Sequence, residues 1–107
     1  MDRPYLKDSL PALRDELAEL LDREDRKDLI PQLDELRIYG RCQCDSKSCS
    51  TFYTAPPPEG NYGPDHKSIS LSVDRGYLIL DIVADQIVHI EVLDRPDVEQ
   101  QLKSVLS

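Results

Sequence analysis

From residue 68 to residue 93 the chain alternates apolar and polar side chains through three runs, broken at Asp74, Arg75 and Gly76 and again at Ala84, Asp85 and Gln86. Successive side chains of an extended chain point to opposite faces, so a period of two with β-branched residues belongs to strands. Three such runs joined by short polar breaks predict an antiparallel meander. One face carries Ile69, Leu71, Val73, Leu78, Leu80, Ile82, Val88, Ile90 and Val92. An apolar face that wide has to be covered by another layer.

Opposed residues of an antiparallel pair share a face, so matching apolar to apolar predicts the register. The second hairpin is expected to set Ile82 against Val88, Leu80 against Ile90 and Leu78 against Val92, with Ala84, Asp85 and Gln86 as a three-residue loop. The first is expected to set Val73 against Leu78, Leu71 against Leu80 and Ile69 against Ile82, with Arg75 and Gly76 at the tip. The outer face then aligns Ser70, Asp81 and His89 in one row.

The cover comes from helices. Leu10, Leu13, Leu17, Leu20 and Leu21 recur at helical spacing behind Pro11, which suits a first turn, with Asp8 or Ser9 as the expected cap. A second helix is expected to carry Leu29, Ile30, Leu33 and Leu36, starting near Asp28 so that Pro31 is tolerated. Residues 36–42 and 50–54 read as two further strands, and Pro96 opens a last helix with Val98, Leu102, Val105 and Leu106 on one side. The order predicts an α+β fold. In it, an antiparallel sheet of about five strands carries an N-terminal helical hairpin and a C-terminal helix on one face. Its 107 residues suffice for a single domain, 1–107, with one modest core.

Charge narrows the partners. With 21 acidic and 13 basic residues the formal charge is −8, which opposes binding to nucleic acid, since that needs a basic face. It suits a basic protein partner. No apolar run is long enough for a membrane span, and Met1, Asp2, Arg3 and Pro4 do not open as a signal peptide, so a cytoplasmic protein is expected. The three cysteines fall within eight residues, an odd number that suits a reducing compartment.

Cys42, Cys44 and Cys49 are the most conspicuous chemistry. They could hold zinc with His66 or His89 as fourth ligand, but the spacing lacks paired C-x₂-C motifs. Packed thiols are the preferred reading, with no cofactor; the alternatives are zinc, which would make this a small metal-binding or regulatory domain, and a redox pair. Ser70, Asp81 and His89 invite comparison with a hydrolase triad, yet the middle strand places the carboxylate between the other two, whereas catalysis needs the imidazole there. An enzyme is therefore not expected. The proline-rich stretch 55–65, flanked by Tyr53 and Tyr62, is either a binding loop or a rigid connector.

Gly40, Arg41, Cys42 and Cys44, followed by the stretch from Cys49 to Pro58, resemble a signature of a group of small uncharacterised bacterial proteins. Residues 9–17, 78–81 and 90–94 extend that resemblance over most of the chain. By size and acidity the chain also resembles the immunity proteins of contact-dependent growth inhibition systems. That resemblance implies a non-enzymatic domain that binds and blocks a basic toxin or nuclease domain. Asp81, Asp85, His89, Glu91 and Tyr62, on or beside the outer sheet face, are the residues expected to meet such a partner.

Overall fold

A computed structural model describes residues 3–41, 50–56 and 62–106. Its elements run α1 (Leu6–Ser9), α2 (Pro11–Arg23), a 3₁₀ helix (Lys27–Asp34), β1 (Gly40–Arg41), β2 (Phe52–Tyr53), β3 (His66–Leu71), β4 (Tyr77–Val83), β5 (Gln86–Leu93) and α3 (Pro96–Leu106). The fold is α+β. All pairings are antiparallel and the sheet order is β1-β2-β5-β4-β3. β1 is a two-residue rung at one rim, so the body of the sheet is four strands. No helix among the described residues is long and apolar enough to cross a membrane.

The leucine stripe of α2 buries Leu13, Leu17, Leu20 and Leu21. These join Leu29, Leu33, Val98 and Leu102 against Leu71, Leu78, Leu80, Ile82, Ile87, Ile90 and Val92 in one core. The meander face is thus covered as its periodicity demands. Pro11 stands in the first turn of α2, but Leu10 occupies the cap position and no side chain caps it. α2 ends with Arg26 N–H on the Leu21 carbonyl and Asp25 N–H on the Asp22 carbonyl. This is a Schellman closure, with Asp25 at φ 59° where glycine is usual.

The second helix departs from expectation. It is 3₁₀ rather than α, with Pro31 inside it. Proline has no N–H to give and its ring crowds the carbonyl four residues back, so the tighter i→i+3 pattern replaces the α ladder.

The meander forms with a different register. In the first hairpin Leu71 pairs with Leu78, Ile69 with Leu80 and Lys67 with Ile82, a slip of two residues from the expected pairing. Residues 72–76 become the connection, and Val73 packs against the core from outside the strand. In the second hairpin Leu78 faces Val92 and Leu80 faces Ile90 as expected, but a bulge after Asp81 pairs Ile82 with Ile87 and Val83 with Gln86. Ile87, not Val88, is therefore the fully buried residue. The loop shrinks to Ala84 and Asp85, both at positive φ (49° and 65°), the backbone of a two-residue hairpin turn.

Gln32 of the 3₁₀ helix secures that turn. Its side-chain N–H donates to the Asp85 carbonyl at 2.6 Å and its amide oxygen accepts from Ile87 N–H at 3.0 Å. Residues 50–54 lie along β5, held by Thr51 Oγ1, which accepts from Val92 N–H at 3.0 Å, and by Thr54 Oγ1, which donates to the Ile87 carbonyl at 2.9 Å.

Candidate functional site

On the sheet face away from the helices, β3, β4 and β5 bring polar side chains together. Ser68, Asp81 and His89 are cross-strand neighbours, since Ser68 pairs with Asp81 and Asp81 with His89. The expected row therefore exists with Ser68 in place of Ser70, a consequence of the two-residue slip. Asp81 is its centre and is only 5% exposed. One carboxylate oxygen, Oδ1, accepts from Ser68 Oγ at 2.8 Å and meets His66 Nε2 at 2.8 Å; the other, Oδ2, meets His89 Nδ1 at 2.8 Å.

Two tyrosines wall the cluster. Tyr53 of β2, paired with His89, stacks on its imidazole with ring centroids 4.5 Å apart, and Tyr62 leans on His66 at 4.9 Å. The Tyr62 hydroxyl and His89 Nε2 are buried and find no hydrogen-bond partner among the described residues. Glu91, two residues along β5 from His89 and on the same face, completes the group. Donor atoms of Asp81, His89 and Glu91 all lie within 4.8 Å of one another.

The electrostatics follow from this crowding. Burial pushes the Asp81 carboxyl up, but the hydrogen bonds from His89, His66 and Ser68 outweigh it and its pKa lies below the ordinary value. Glu91 moves the other way, raised first by burial and then by the charge and contact of Asp81. Burial, with smaller contributions from Tyr53 and Asp81, pushes the Tyr62 phenol up to about 12.

Of the residues expected to meet a partner, the structure thus gathers Asp81, His89, Glu91 and Tyr62, and leaves Asp85 on the hairpin turn. Asp81 is withdrawn from the surface and committed to its neighbours. His66 was expected only as a possible fourth ligand to the cysteines; here it is a direct partner of Asp81. Its position two residues before Ser68 on the outer face was the signal, hidden by the expected register. The Ser68 hydroxyl contacts the carboxylate and not an imidazole, so the order required of a hydrolase triad is not formed by these groups. Cys42, Cys44 and Cys49 lie outside the described residues, as do residues 57–61 of the proline-rich segment. A cleft of about 490 Å³ between the 3₁₀ helix and the start of β5 includes Gln32, Glu35, Arg37 and Thr54 in its lining and none of the clustered residues. No protein-family model, curated protein or solved structure matches the chain, so the reading of function rests on the geometry of this cluster and on the distribution of charge.

Proposed function

We propose that this domain is a binding protein that acts without catalysis, engaging a basic protein partner in the manner of an immunity protein that blocks a toxin domain. The observation that carries this reading is how the charges are distributed. Arg14, Arg23, Arg26, Lys27, Arg95 and Lys103 each form an ion pair with a carboxylate of this same chain. Asp65 and Asp85, by contrast, stay exposed and take part in no ion pair among the described residues. They share one cleft at the end of the sheet with Arg26, which is paired to Asp28, and with Lys67, which is exposed and forms no ion pair among the described residues; Asp25, adjacent to Arg26, is exposed at that end too, so the free carboxylates there outnumber the free cation. A rim of such carboxylates steers a basic partner and sets its orientation more than it adds raw affinity.

The test starts from the genes that neighbour the one for this chain: a basic toxin domain is expected among them, and its binding is measured by titration calorimetry at low and at raised salt. Binding at micromolar concentration or tighter is expected, weakening as salt rises and weakened further by Asp65→Lys with Asp85→Lys. Absence of binding at micromolar concentration overturns the reading.

A further inference from the structure

We infer that Asp81, His89 and Glu91 form a binding site for a divalent transition-metal ion, with His66 and Ser68 holding the Asp81 carboxylate in place. This goes beyond the protein-binding reading and does not depend on it.

Two observations point to a cation. The first is convergence: one donor atom from each of the three residues falls within a 4.8 Å sphere of mutual distances. The positions are dictated by backbone pairing, since His89 stands opposite Asp81 and Glu91 follows on the same face of β5. Sites built on paired strands are held more tightly than sites on loops. The second is charge. Two carboxylates, one buried at Asp81 and one half-buried at Glu91, are brought within that distance of each other, where like charges repel. A dication placed between them removes that repulsion.

The donor set selects the ion. One imidazole with two carboxylates suits zinc, cobalt(II), iron(II) or manganese(II), whereas calcium and magnesium favour oxygen donors alone. The surrounding contacts resemble those that tune metal sites: Ser68 Oγ and His66 Nε2 occupy Asp81 Oδ1, which directs Oδ2 at His89. The 2.8 Å contact of Oδ2 with Nδ1 is a hydrogen bond. A tetrahedral ion between these two atoms, with bonds of about 2.0–2.2 Å, needs them roughly 3.3 Å apart. Binding therefore expels the proton they share and opens the pair by about half an ångström, a movement within reach of a side-chain rotation. Three protein donors leave at least one coordination position for water or for a group from a partner.

The test uses the full chain with Cys42→Ser, Cys44→Ser and Cys49→Ser, so that thiolates cannot compete. Zinc affinity is measured against a chromophoric chelator, and cobalt(II) is added to read its visible spectrum. One ion per cysteine-free chain is expected, with a cobalt(II) spectrum of nitrogen and oxygen ligation. Glu91→Gln and His89→Gln should each weaken zinc by more than tenfold, and His66→Gln by about tenfold, the usual size of an outer-contact effect. Because Glu91→Gln removes a repulsion, it should fold, and zinc-induced shifts of the His89 imidazole NMR signals report the site without any substitution there. No zinc uptake by the cysteine-free chain, unchanged affinity in both Glu91→Gln and His89→Gln, or unmoved His89 signals would each overturn the proposal.

Discussion

Asp81 and His89 stand directly opposite each other on β4 and β5, with Oδ2 and Nδ1 2.8 Å apart. Asp81→Asn keeps the size of the side chain and replaces one acceptor oxygen by an amide that cannot accept, so one of the surrounding donors loses its partner. A loss of about 2–3 kcal/mol is expected in denaturant unfolding, as for hydrogen bonds to a buried charge. The pH dependence has a definite sign. The folded pKa of Asp81 is depressed below its ordinary 3.8, so its stabilisation is present above that ordinary value and disappears as pH falls through the folded pKa. Unfolding curves between neutral pH and the acid limit should show this loss for the wild type and less of it for Asp81→Asn.

Glu91 behaves oppositely. Its folded pKa lies above the ordinary 4.5, so ionising it costs the fold nothing below that ordinary value and the full amount above the folded pKa. Glu91→Gln should therefore stabilise the metal-free protein at neutral pH, by a few tenths to about 1 kcal/mol on a partly solvated face. The gain should fade as pH drops below the ordinary value. Thermal melts of the two proteins across that range check both sign and window; an equal gain at every pH would disconnect it from ionisation.

The two hairpin connections make opposite demands. At Gly76 the backbone is at φ 69°, and a Cβ there would run into the carbonyl oxygens of Leu93 and Asp94. Gly76→Ala should cost about 2–3 kcal/mol, combining strain with steric conflict. Ala84 sits at φ 49° in the β4–β5 turn, so Ala84→Gly should gain about 1 kcal/mol by relieving left-handed strain. Chemical denaturation of both variants against wild type measures the contrast.

Leu80 is fully buried on β4, between Ile69 of β3 and Ile90 of β5. Leu80→Ala should cost about 2–5 kcal/mol through lost transfer energy and the cavity left behind. A loss below about 0.5 kcal/mol, the range of a surface substitution, would contradict its place in the core.

The faces of the meander were legible because a period of two leaves no freedom: once Leu78 and Leu80 point inward, Asp81 points outward, and the same holds for His89 beside Ile90. Pairing Leu80 with Ile90 then placed Asp81 opposite His89 without any tertiary information. The leucine stripe of α2 was equally plain. What pattern alone could not decide was anything that preserves the faces. Sliding β3 by two residues exchanges Ser70 for Ser68 while every side chain stays on its side, so the expected register and the observed one are equivalent by periodicity. The path of the first connection, folded back on the carbonyls of Leu93 and Asp94 at Gly76, distinguishes them, and it is this slip that brings His66 to Asp81.

The sequence by itself therefore determined the three strands of the meander, the buried face and the Asp81–His89 pair, because these follow from local alternation and from matching apolar neighbours; of the expected strands 36–42 and 50–54 only Gly40–Arg41 and Phe52–Tyr53 form among the described residues. Tertiary structure decided the rest. The bulge that buries Ile87 instead of Val88 exchanges one aliphatic residue for another, and hydropathy is blind to the choice. It is accompanied by Gln32, 53 positions before Asp85 and 55 before Ile87, whose amide bonds the backbone on both sides of the turn. Contacts between residues so far apart in the chain exist only once the helices have packed on the sheet, and no local pattern encodes them.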